Sequence, residues 1–207
     1  IQALAELGGN VNTPMNDGRT PVYIAARMGE VDAIRALAEL GANVNTPQND
    51  GCTPMIIAAQ EGKVVAIQAL AELGGNVNTP MKDGRTPVYI AAQMGEVDAI
   101  RALAELGANV NTPEKDGCTP VFIAARMGEV DAIRALAELG ANVNTPMKDG
   151  RTPVYIAARM GHVDALRALA ELGANVNTPR KDGSTPVNIA AQMGEVDAIR
   201  ALAELGA

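Results

Sequence analysis

The stretch DGRTPVYIAARMGEVDAIRALAELGANVNTPQN, residues 17–49, is one complete unit of a pattern that fills the chain. Its opening Asp-Gly pair returns at Asp50, Asp83, Asp116, Asp149 and Asp182, each step being 33 residues. A fixed period of this length marks stacked repeats that bury a shared core. The 207 residues therefore read as a single repeat domain, 1–207. It comprises a trailing half-repeat at 1–16, full repeats at 17–49, 50–82, 83–115, 116–148 and 149–181, and a last repeat, 182–207, that ends after its second helix. Ile1 opens in mid-pattern, as a piece of a longer array would.

Within the unit, Asp17-Gly18 is a turn signal, because glycine tolerates positive φ and aspartate bonds nearby backbone. Thr20-Pro21 reads as an N-cap followed by the first helical residue. The spacing predicts a first helix to about Met28, stopped by Gly29 in a left-handed C-cap. A second helix is predicted from Glu30-Val31-Asp32, its acidic residues on the positive end of the helix dipole. Val31, Ile34, Leu37 and Leu40 form its apolar face, and Ala33, Ala36 and Ala38 permit close approach. Gly41 ends it, and Asn43-Val44-Asn45-Thr46-Pro47 is an extended connector. Helices of about ten residues are marginal alone in water. Their apolar faces must therefore be buried against neighbouring units, and any surface for function belongs to the stack.

Composition agrees. Aromatic residues make up only 2% of the chain, namely Tyr23, Tyr89, Tyr155 and Phe122, which suits many thin aliphatic layers. The net charge of −7 disfavours nucleic acid or an anionic membrane as a partner, and no run approaches the ~18 apolar residues of a membrane span.

The unit D-G-x-T-P-V-Y-I-A-A-x-x-G-x-V-D-A-I-x-A-L-A-E-L-G-A-N-V-N resembles the ankyrin repeat, and the resemblance covers the whole chain. It implies an all-α ankyrin-repeat solenoid of helix-turn-helix units joined by β-turn loops. The implied function is a non-enzymatic protein-interaction scaffold. Departures are specific. Where the family pattern has a histidine after T-P-L, this chain has Tyr23, Ile56, Tyr89, Phe122, Tyr155 and Asn188. The histidine's bond to the capping threonine should be absent or rebuilt, with the tyrosines as candidates to replace part of it. Only His162 keeps the family's second histidine, and the Leu-Leu pair of the second helix is Ala-Leu, as in Ala36-Leu37.

No constellation for catalysis is present. His162 is the one histidine and reads as a structural helix-start residue. One histidine and two distant cysteines do not make a zinc site, and no phosphate-binding glycine motif occurs, so no cofactor is expected. Cys52 and Cys118 occupy equivalent positions two repeats apart, some 20 Å at ~10 Å per layer. That separation is too long for a disulfide, so both should be free thiols of a reducing, cytoplasmic compartment.

The resemblance places a concave partner-binding face on the turn tips and first-helix ends. By position the tips are Arg19, Cys52, Arg85, Cys118, Arg151 and Ser184, preceded by Asn49, Lys82, Lys115, Lys148 and Lys181. The helix ends carry Arg27, Gln60, Gln93, Arg126, Arg159 and Gln192 beside Met28, Met94, Met127, Met160 and Met193. The aromatic positions Tyr89, Phe122 and Tyr155 complete the expected contact set. These positions vary among the copies while the apolar pattern does not. The face reads as locally basic, with Asp32, Glu39 and their equivalents on the second helices as counterweight, and it suits a protein or peptide partner. The methionines are either gap-fillers between layers or an adaptable contact stripe. The near-identity of the copies also fits an engineered or consensus array. The internal-type terminal helices leave end-to-end self-association as the rival reading.

Overall fold

The computed structural model describes residues 10–207. The half-repeat helix expected at 1–7 lies outside the described residues. Among these there are twelve short helices and no strand: α1 (Pro21–Met28), α2 (Val31–Glu39), α3 (Pro54–Gln60), α4 (Val64–Glu72), α5 (Pro87–Met94), α6 (Val97–Glu105), α7 (Pro120–Met127), α8 (Val130–Glu138), α9 (Pro153–Arg159), α10 (Val163–Glu171), α11 (Pro186–Met193) and α12 (Val196–Glu204).

Local chemistry sets these bounds. Thr20 is extended, and its hydroxyl accepts the Tyr23 backbone N–H at 3.3 Å, with Pro21 supplying the first helical residue. Thr53, Thr86, Thr119, Thr152 and Thr185 repeat this cap. At the other end Gly29 turns left-handed, at φ +82°, and its N–H returns to the carbonyls of Ala25 and Ala26. The second helix begins two residues later. Glu30 stands at its N-cap but makes no side-chain capping bond, so its contribution there is charge alone.

The helices fall into two compact units, one of residues up to Ala91 with Asp98–Asn109, the other of Ala92–Val97 with Val110–Ala207. In the first, α1 packs on α2 and α3, α3 on α4, and α2 on α4. In the second, α7, α9 and α11 pack successively, each also against its own partner, while α8, α10 and α12 form the other layer. Ile67 and Leu70 of α4 are fully buried, as are Ile133 and Leu136 of α8 and Leu166 and Leu169 of α10. Between them Ala69, Ala135 and Ala168 are buried too, so the Ala-Leu pair does bring the layers close.

Two polar rows run along each unit. In the first row an asparagine side chain joins successive connectors. The Asn45 carboxamide accepts the Asn76 N–H at 2.9 Å and donates to the Gly74 carbonyl at 2.9 Å. Asn144 does the same to Asn175 and Gly173, at 2.8 and 3.2 Å. In the second row the turn tips bond backbone to backbone: Lys82 N–H to Asp50 carbonyl at 3.2 Å, and Lys181 N–H to Asp149 carbonyl at 3.4 Å. This closeness requires glycine. Gly51 has φ +93°, and a Cβ there would lie 2.7 Å from the Lys82 nitrogen. Ion pairs between second helices, such as Arg134 to Glu171 at 2.7 Å, are solvent-exposed on both sides.

Asn144→Ala removes two hydrogen bonds between copies, each contributing about 0.5–1.5 kcal/mol net, and should lower stability by about 1–2 kcal/mol. Arg134→Ala removes an exposed ion pair and should cost under about 1 kcal/mol. Urea unfolding of both variants checks the order.

Candidate functional site

Each turn tip is built by its aspartate. The carboxylate of Asp17 accepts the Arg19 N–H at 3.1 Å, and Asp50, Asp83, Asp149 and Asp182 hold the residue two positions on in the same way. In the repeat that starts at Asp116 the Glu114 carboxylate takes the Cys118 N–H instead, at 3.1 Å. The same aspartates also pair with the tip arginines: Arg19 Nε to Asp17 at 2.6 Å, and Arg85 and Arg151 to Asp83 and Asp149 at 2.7 Å. The tips are therefore less basic than the sequence alone implies, because each arginine folds back on the carboxylate of its own turn. Asp17 is held below the usual carboxylate range, first by the Arg19 backbone N–H. Burial pushes Asp149 up, but the Arg151 backbone N–H and its guanidinium outweigh that and lower it.

Five residues of the expected contact set are not on the surface. Cys52, Cys118, Tyr89, Phe122 and Tyr155 are all 5% exposed or less. They are core residues: the two thiols turn inward at the tip position where other copies carry arginine, and the ring three places after the capping threonine points into the layers. Tyr23 shows the arrangement, its hydroxyl donating to the Cys52 sulfur of the next repeat at 3.8 Å. This contact rebuilds part of the polar link expected from the family's histidine. At the last copy the capping box of Thr185 and Asn188 serves instead. Burial pushes the Cys52 thiol up to about 11, against a smaller opposite effect of the Tyr23 hydroxyl. Among the described residues neither cysteine forms a disulfide and no group of potential metal ligands gathers.

The remaining residues keep to the surface. Lys82, Lys115, Lys148, Arg27 and Arg126 are exposed, while Gln60, Gln93 and Arg159 are half-buried. Met28, Met94, Met127, Met160 and Met193 are 46–58% exposed, so they do not fill gaps between layers. His162 reaches back across the layer, its Nε2 lying 3.1 Å from the Arg126 carbonyl and its ring against Gly128. That is a structural tie between repeats.

Hollows lie on these faces in both units. A small one of about 330 Å³ in the first unit is lined by Arg27, Met28, Glu61 and Lys63. A larger cleft of about 830 Å³ in the second unit lies among Arg151, Tyr155, Arg159, Arg180, Asn188 and Met193. The expected site omitted Arg180 and Asn188. The available signal was that Arg180 stands where other copies have Met15, Gln48, Met81, Glu114 and Met147.

The profile of the family described as Ankyrin repeats (3 copies) matches residues 1–81, 41–114, 66–147, 107–180 and 144–207, which together span the chain. The chain belongs to the ankyrin repeat family. No curated protein matches its sequence significantly. Among solved structures, the human ASB11 ankyrin repeat domain matches with a TM-score of 0.83 and 30% identity, over 91% of this chain and 85% of that one. The all-α ankyrin-repeat fold expected from the repeat unit is thus the fold found. Among the described residues no helix is long and apolar enough to cross a membrane.

The raised Cys52 value yields a prediction with a definite sign. The fold prefers the neutral thiol, so the unfolded chain ionises first, from about pH 8.5. Stability should fall as pH rises from there toward 11, and Cys52→Ala should flatten that slope. Disulfide-exchange reagents at pH 7.5 should leave both thiols of the native ankyrin array untouched and titrate both in urea.

Proposed function

We propose that this ankyrin array is a non-catalytic protein-interaction scaffold whose partner lies along the turn tips and first-helix ends. The observation that carries the reading is the exposed methionine series, set among cations. Methionine is flexible and polarizable, and a folded chain does not leave such residues out in recurring order for its own packing. In the second unit Met127 and Met160 stand beside Arg126 and Arg159, and Lys115 and Lys148 crown the tips. An apolar stripe flanked by cations suits an extended peptide or protein edge carrying acidic and apolar residues. The chain's net charge of −7 argues against nucleic acid on the same face.

The contact set is therefore Arg19, Arg27, Met28, Gln60, Lys82, Arg85, Gln93, Met94, Lys115, Arg126, Met127, Lys148, Arg151, Arg159 and Met160. The two buried thiols support a reducing, cytoplasmic setting. The copies 17–49 and 83–115 differ at only three positions, which supports an engineered or consensus-like origin. End-to-end self-association is the rival. Val196 on α12, 54% exposed, is the apolar residue such a contact would cover. A mass by light scattering that does not change with concentration removes it.

Selection of displayed peptides on the immobilised chain supplies a ligand for the test. Arg126→Ala with Met127→Ala should weaken the enriched peptide at least ~10-fold, while Asp131→Asn on the outer helix should leave it unchanged. Undiminished binding by the double variant would contradict the proposal.

A further inference from the structure

The cleft in the second unit differs from its surroundings in the state of its arginines. Arg151 Nε is shielded from solvent and pairs with an Asp149 oxygen at 2.7 Å. Arg180 Nε is also shielded from solvent, but has no acceptor. Its terminal nitrogen is only loosely paired, 3.6 Å from Asp182. The Tyr155 and Arg180 side chains line the cleft together. Arg159 enters from the last turn of α9 and has no ion-pair partner among the described residues. Shielded N–H donors without acceptors are uncommon in folded proteins and cost stability. Arg180 carries one such donor, and its side chain lines one hollow together with those of Arg151 and Arg159.

We infer that this cleft is a receptor for one carboxylate side chain of an extended, acidic peptide segment of the partner protein. The inference rests on the reading of this face as the partner surface, and it names the chemistry bound there. Three arginines against Asp149 and Asp182 leave a surplus of one positive charge, which matches a single carboxylate. A phosphate dianion or a polyphosphate backbone would meet the two aspartates and the chain's net −7. Guanidinium forks hold carboxylates through paired, charge-assisted hydrogen bonds. Met193, half exposed at the rim, offers an apolar contact to the residue flanking the acid. The site belongs to this copy alone, because Arg180 replaces the methionine found at Met15, Met81 and Met147.

The test uses the full chain and three blocked pentapeptides, acetyl-Ala-Leu-X-Leu-Ala-amide with X as glutamate, glutamine or phosphoserine. Arginine Nε–H resonances are followed by NMR. The glutamate peptide should shift Arg151, Arg159 and Arg180 and bind ~10-fold more tightly than the glutamine peptide. Arg180→Met, which restores the residue of other copies and so keeps the fold, should abolish that preference. Equal shifts with the glutamine peptide, tighter binding of the phosphoserine peptide, or an unaltered preference in Arg180→Met would each overturn the inference. If the pentapeptides leave these resonances still while selected peptides bind through Arg126 and Met127, the cleft assignment falls and the scaffold reading stands. If neither class binds, both fall.

Discussion

Burial of isoleucine and leucine between successive helix pairs is the interaction on which the rest of the structure depends. Helices of seven to nine residues cannot hold themselves in water, since forming the first turn costs more than two turns of hydrogen bonds return. Ile133 and Leu136 on α8, and Leu166 and Leu169 on α10, lose all contact with solvent only because the neighbouring layers cover them. Each fully buried side chain of this kind contributes roughly 1.5–3 kcal/mol. The alanines between them let the layers approach closely enough for that cover to be complete. Stability in such a stack is a sum of weak units and strong interfaces.

The polar features set register rather than supply the main stabilisation. The asparagine row and the tip-to-tip backbone bonds satisfy connectors that have no regular structure of their own. They also fix the offset between copies, which decides which residue of one copy meets which of the next. What the interfaces leave exposed are the tips, the first-helix ends and the methionines.

Much of this was legible in the sequence. The Asp-Gly period, the Thr-Pro caps and the glycine stops are local signals, and they place the helices correctly because each acts within a few residues. The misplaced residues share one cause. Cys52 faces Tyr23, 29 residues earlier, and Arg180 shares its cleft with Tyr155, so their surroundings are set by the offset between copies. No pattern inside a single unit encodes that offset. Equivalence by position therefore put Cys52 and Cys118 at the exposed tips beside Arg19, when the small thiols turn inward and the arginines outward. The same limit hid the pairing of tip arginines with their own aspartates and the cleft around Arg180. The methionine periodicity was visible in the sequence, but only burial shows that these side chains are not filler.

The central claim is that no helix pair stands without its neighbours, and the most direct measurement is far-ultraviolet circular dichroism of the single repeat 116–148 as an isolated peptide. The account predicts a spectrum of unfolded chain with no cooperative melting transition, in contrast to a strongly helical full chain. A helical peptide that melts cooperatively by itself would contradict it.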